Sequence, residues 1–133
     1  KAKYKSTKFD DYSTSLMNLS KNSKLIISTY NATTFLETMA LNFPTMMYFP
    51  FNRFKVSEFG LSCFKPLYEL GILHDSPKLA ARKLREINQN IENWWHDKKL
   101  QNARLDFCKK LAYLPENAEN FFIKKFVNVA KYE

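Results

Sequence analysis

Two short apolar runs, Leu25-Ile26-Ile27 and Thr45-Met46-Met47-Tyr48-Phe49, constrain this chain more than any other feature. Each is of strand length. Lys21-Asn22-Ser23 precedes the first as a turn, and Asn42-Phe43-Pro44 precedes the second. An uninterrupted apolar run reads as a parallel strand buried on both faces. Between the runs lies a polar, hydroxyl-rich loop, Ser28 to Thr34. It leads into a helical stretch, Phe35 to Leu41, that Pro44 keeps from continuing. Residues 24–49 therefore read strand, loop, helix, strand, which is a right-handed βαβ unit with parallel strands.

The flanks read as follows. Residues 1–9 are Lys-rich and suit an edge strand or an arm. Asp11-Tyr12-Ser13 starts a short helix to about Ser20, with Leu16, Met17 and Leu19 apolar. Pro50-Phe51-Asn52-Arg53-Phe54 is an aromatic loop. Residues 56–70 are helical, with Val56, Phe59, Phe64, Leu67 and Leu70 apolar and Gly71 as the C-terminal cap. Pro66 is expected to kink or restart that helix. Ser76-Pro77 opens the clearest helix, 77–97, which carries Ala80, Leu84, Ile87, Ile91, Trp94 and Trp95 at helical spacing. Leu100, Ala103, Phe107 and Leu111 mark another helix that Pro115 breaks, and Phe122, Phe126 and Val129 mark a last one over about 116–130.

The expected class is α/β: a partial Rossmann-like domain with a short parallel sheet followed by several helices, helix-rich overall. Residues 1–133 form one domain, with a βαβ part over 1–50 and a helical part over 51–133. Two strands make a thin sheet. The chain also begins Lys1-Ala2-Lys3 with no initiator Met. It is therefore expected to be a fragment of a larger two-domain enzyme and to associate with itself through an exposed hydrophobic flank.

Composition narrows the chemistry. Two glycines in 133 residues exclude a Gly-rich phosphate loop. Cys63 and Cys108 lie far apart without a CxxC spacing, so they read as reduced, buried thiols and not as zinc ligands. No run of apolar residues is long enough to span a membrane, and no signal-peptide pattern opens the chain. A cytoplasmic protein, peripheral at the inner membrane face, is the expectation. The formal charge is +8, from 21 Lys and Arg against 13 Asp and Glu. The lysines alternate with acids and form no DNA- or RNA-binding motif, so nucleic acid is not the expected partner. A basic, non-enzymatic module that binds nucleic acid or protein stays as a rival reading. Lys78, Arg82, Lys83 and Arg85 sit near a helix N-terminus, the unfavourable end for cations, which hints at an anionic partner such as a membrane.

The informative segment is Ser28 to Glu37. In open parallel sheets, ligands sit beyond the carboxyl ends of the strands. A helix N-terminus there suits a phosphate. Ser28, Thr29, Thr33 and Thr34 add hydroxyls, and Glu37 could accept both hydroxyls of a ribose. Thr34-Phe35-Leu36-Glu37 is equally a capping box, and spacing alone leaves both readings open. His74, beside Asp75 in a turn, and Arg53 with Lys55 after the second strand are weaker candidates for an acceptor or phosphate contact. A solvated loop explains them as well. His96 suits a helix C-terminus. Phe51, Phe54, Trp94 and Trp95 read first as packing residues, and at least one of the adjacent tryptophans should be partly exposed.

The segment Ile26-Ile27-Ser28-Thr29-Tyr30-Asn31-Ala32-Thr33-Thr34-Phe35-Leu36-Glu37, continuing through Pro44-Thr45, resembles the donor-site segment of two-domain, GT-B type glycosyltransferases. More closely, it is similar to a family of bacterial surface-polysaccharide transferases. Gly71-Ile72-Leu73-His74, Pro77 with Ala80-Ala81, Trp94-Trp95 and Arg104-Leu105-Asp106-Phe107-Cys108 follow in that family's order. The resemblance covers roughly residues 10–112. It implies the nucleotide-sugar-binding half of such an enzyme, with Glu37 on the donor ribose and Thr33 and Thr34 facing the diphosphate. Ser28, Thr29 and Asn31 complete the implied donor site. The donor is a substrate and no cofactor is implied; the absence of a DxD pair implies no obligatory metal. The acceptor, a glycan or lipid-linked sugar, would meet an N-terminal domain, so this half alone is expected to be inactive. A sugar-nucleotide epimerase or a polyol-phosphate transferase on the same scaffold is the alternative.

Overall fold

The structure is a computed structural model, described for residues 7–9, 11, 13–50, 55–113, 117, 119, 120 and 123. Along the chain run α1 (Leu16–Lys21), β1 (Ile26–Ser28), α2 (Thr34–Ala40), β2 (Thr45–Tyr48), α3 (Glu58–Glu69), β3 (Leu73–His74), α4 (Pro77–Ile87), α5 (Ile91–Trp95) and α6 (Lys98–Leu111). The three strands form one parallel sheet in the order β1-β2-β3. Ile27 lies level with Met46, Met47 with Leu73, and Tyr48 with His74. The α/β class is as expected, with one strand more than the two read from the sequence.

Two crossovers of one hand in succession put α2 and α3 on the same sheet face, and α6 packs over both. There Phe35, Phe49, Phe64 and Phe107 form a cluster with ring centroids 5.2–6.2 Å apart. Met39, Met47, Cys63, Leu67, Trp95 and Leu100 complete this layer. The opposite face carries α4, whose Ala80 and Ile87 pack with Met46 and with Ile91 of α5. Each buried phenylalanine contributes roughly 1.5–3 kcal/mol, whereas an exposed ion pair such as Lys65–Glu69 contributes about 0–1 kcal/mol. The aromatic layer, not surface charge, holds the fold.

Several elements differ from the sequence reading, each for a local reason. The first helix begins at Leu16, capped by Ser15, whose hydroxyl takes the Asn18 amide. β1 is not buried on both faces. It is a strand at the end of the described sheet, and Ile27 is 43% exposed because α4 lies mainly over β2 and β3. His74 does not sit in a turn: with Leu73 it forms β3. The helix expected over 77–97 is two helices. Asn88-Gln89-Asn90 breaks it, with Asn90 at φ −148°, yet the apolar spacing continues into α5 because the break keeps the rotational phase. Pro66 does not restart a helix: α3 runs through it from Glu58 to Glu69. It faces solvent, where water can take up the Ser62 carbonyl that its ring deprives of an N–H. The helix expected over 116–130 and the arm at 1–6 lie outside the described residues.

Two left-handed residues close helices. Gly71 (φ +73°) ends α3 in a Schellman motif: its amide meets the Tyr68 carbonyl, and the Ile72 amide meets that of Leu67. Asn42 (φ 58°) does the same for α2, with Asn42 bonded to Met39 and Phe43 to Thr38. α2 is then pinned from a distance. The Trp95 indole N–H lies 3.0 Å from both the backbone and side-chain oxygens of Asn42. Buried Arg104 donates to the Met39 carbonyl at 2.7 Å and to Gln101 at 2.9 Å. A cation at a helix C-terminus is favourable.

Candidate functional site

All three strands are parallel, so their carboxyl ends share one edge of the sheet. The chain leaves β1 there through Thr29–Thr33 into α2, and leaves β3 through Asp75 and Ser76 into α4. Beyond Pro50 the chain leaving β2 passes into residues 51–54. Arg53, Phe51 and Phe54 thus lie outside the described residues. Lys55 is exposed.

Ser28 ends β1 and is buried. Its hydroxyl donates to the Tyr30 carbonyl at 3.1 Å. That bond folds the chain back on itself, so Ser28 shapes the loop and its proton is already committed. Thr29 and Thr33 are exposed, and Asn31 and Thr34 are half-buried. Glu37 is exposed, one turn into α2. The side chains of Thr29, Asn31, Thr33, Thr34 and Glu37 make no hydrogen bond or ion pair with any described residue.

The capping box expected at Thr34–Glu37 does not form. The N-cap is Thr33, in the αR region at φ −74° and ψ −24°, with no side-chain cap bond. A box needs its carboxylate three residues after the cap. From Thr33 that position is Leu36, so Glu37 falls one residue too late and its carboxylate stays unengaged. One loop and one helical turn therefore gather three hydroxyls, an amide and a free carboxylate beyond the carboxyl end of β1. Together they offer donors to an oxyanion and a bidentate acceptor to a diol.

His74 lies elsewhere and behaves differently from the expected loop histidine. It is 8% exposed at the carboxyl end of β3, two strands from Ser28, which is about 10 Å by strand spacing. Its Nε2 lies 3.0 Å from the Gly71 carbonyl, which assigns the proton to that nitrogen. Burial pushes its pKa below the ordinary value, and the Lys83 charge adds to this against the pull of Gly71 and Asp75. A neutral, inward-facing imidazole in that position serves the fold. His96 is exposed beside Glu92, with 3.3 Å between Nε2 and Oε2.

Neither cysteine is poised as a nucleophile. Cys63 is buried and free. Burial raises the Cys108 thiol, with the Arg104 charge opposing. Among the described residues no group of His, Cys, Asp and Glu is arranged to hold a metal. None of their helices is long and apolar enough to cross a membrane. A groove of about 410 Å³ opens at the opposite, amino-terminal edge of the sheet, lined by Lys83, Glu86, Asn90, Asn93, Trp94 and Asp97 among others. Half-buried Trp94 is among its lining residues. Its Nε1 is the one buried side-chain polar atom among the described residues without a hydrogen-bond partner. Trp95 beside it is fully buried, so the two tryptophans divide as their adjacency requires. Arg104 was the residue the sequence concealed: only its position opposite the end of α2 reveals that it holds that helix.

The family model described as LIC12162 family transferase matches residues 1–126. No curated protein and no solved structure matches the chain. A match across nearly the whole sequence settles membership: the chain belongs to the LIC12162 family of transferases.

Proposed function

For this member of a transferase family, we propose the role of nucleotide-sugar-binding half of a two-domain, GT-B type glycosyltransferase that acts in bacterial surface-polysaccharide biosynthesis. The observation that carries the reading is the unengaged Glu37 carboxylate beside the free hydroxyls of Thr33 and Thr34, beyond the carboxyl end of a parallel strand. Helix capping would account for Glu37, and here it does not.

In this reading Glu37 accepts hydrogen bonds from the ribose hydroxyls of the donor. Thr33, Thr34 and the first-turn amides of α2 meet the diphosphate, with Thr29 and Asn31 at the rim. Ser28 fixes the loop they stand on. When the bond between the anomeric carbon and the diphosphate breaks, negative charge grows on the departing phosphate oxygen. Donors already aimed at that oxygen lower the barrier. The acceptor, a glycan or lipid-linked sugar, approaches from the N-terminal domain of the complete enzyme.

Calorimetric titration of the chain with UDP, CDP, GDP and dTDP tests this. One nucleotide should bind saturably. Glu37→Ala should weaken it about 10- to 150-fold, the equivalent of losing hydrogen bonds to a charged acceptor. The same variant should unfold within about 0.5 kcal/mol of wild type, because no capping box is lost and alanine is the better helix former. Failure of all four nucleotides to bind, or unchanged affinity in Glu37→Ala, refutes the proposal. A stability loss above about 1 kcal/mol would restore the capping role.

A further inference from the structure

The basic stretch of α4 separates into two parts with different environments. Lys83 turns inward: its side chain is 21% exposed, its stem covers Gly71, and its ammonium lies 2.8 Å from Glu86. Lys78, Arg82 and Arg85 are exposed. They recur at i, i+4 and i+7, so they form one row about 10 Å long on the solvent face of the helix. None of the three makes an ion pair or hydrogen bond with a described residue. Glu86, the one acid on α4, is bonded to Lys83, and the charge of Arg82 acts on it more weakly.

The fold does not require this row. α4 has no acidic residue in its first turn, and Lys78 and Arg82 stand in its first half, where the helix dipole disfavours positive charge. Their buried neighbours Ala80 and Ile87 attach the opposite side of the helix to the core. Leu79 is 38% exposed beside Lys78 and Arg82. The exposed part of the row carries no aromatic residue on which a nucleobase could stack. Cations flanked by an exposed leucine suit a surface of anionic headgroups over an apolar interior.

We infer that the solvent face of α4, through Lys78, Arg82 and Arg85 with Leu79, docks the protein on an anionic lipid surface. Charge complementarity identifies the occupant, and the inference stands independently of the donor-site reading. Each cation close to such a surface strengthens binding several-fold, so three together account for about 100-fold.

Sedimentation of the full chain with vesicles tests it. The chain should bind equimolar phosphatidylcholine and phosphatidylglycerol, release with rising salt, and ignore pure phosphatidylcholine. The triple variant Lys78→Gln, Arg82→Gln, Arg85→Gln should lose binding about 100-fold. It should melt no lower than wild type, because the replaced charges oppose the dipole. A control removing the exposed charges Lys98, Lys99 and Lys110 of α6, each to Gln, should retain most of the binding. Equal loss in both variants would reduce the effect to net charge and overturn the assignment. So would no binding by wild type, or tighter binding of single-stranded DNA than of vesicles at the same salt, lost in the α4 variant.

Discussion

The position of α2 depends on one left-handed residue, and that dependence can be measured. Asn42 holds φ 58° and offers two oxygens to the Trp95 indole. In Asn42→Ala the backbone angle costs about 1–2 kcal/mol. The lost side-chain acceptor costs a further ~0.5–1.5 kcal/mol, for a total of about 1.5–3.5 kcal/mol from these two sources. Asn42→Gly keeps the angle without strain, so only the smaller hydrogen-bond part remains. The indole retains the backbone oxygen in both variants. Urea denaturation followed by circular dichroism reads the two losses, and their difference isolates the conformational part at about 1–2 kcal/mol. In a Trp95→Phe background the glycine variant should cost almost nothing, because its partner has gone. Equal losses for alanine and glycine would refute the conformational argument. Full additivity with Trp95→Phe would refute the coupling.

Two further outcomes follow from the same geometry. Burial and Lys83 hold His74 below its ordinary pKa of 6.5, so below that pH the unfolded chain binds a proton that the folded chain resists. Stability should therefore be fully present above about pH 7 and fall as the pH drops through 6.5. Urea midpoints across pH 7 to 5 should show this slope, and His74→Gln should flatten it. Gly71→Ala should cost about 1–2 kcal/mol from its φ of +73°. The Lys83 stem, 3.1 Å from the added methyl, is flexible enough to move aside. A thermal melt unchanged from wild type would show that the turn relaxes.

The βαβ unit was legible because its signals are local: two apolar runs, a hydroxyl-rich loop and a proline. The helix beginning at Ser76 announced itself by its capping residue; Ser57 and Asp97 cap α3 and α6 in the same way, but their capping was not read from the sequence. β3 was not legible, since two residues show no period and Gly71 looked only like a helix end. The split between α4 and α5 was hidden because Ile91, Trp94 and Trp95 stay in phase across Asn88–Asn90. The exposure of Ile27 depends on which strands α4 covers, a tertiary fact. At the candidate site, the residue types and their order were readable. The capping state of Glu37 was not, because shifting the cap from Thr34 to Thr33 changes no residue and only the position of one turn. The burial of Arg104 and His74 was not legible for the same reason: it is decided by elements distant in sequence.

The bond from Arg104 to the Met39 carbonyl spans 65 residues. It has a consequence for synthesis in the cell. On a ribosome the β1-α2-β2 segment emerges well before α6, and the anchor at the end of α2 is made only 65 residues later, a delay of roughly 3–13 s at ordinary elongation rates. For most of that interval the aromatic face of α2 has neither Phe107 nor Trp95 to cover it. The nascent chain must keep a sticky, half-built unit from aggregating until its last helices arrive. Premature termination before residue 104 would release a product with the whole Ser28–Glu37 segment but without the Arg104 anchor at the end of α2.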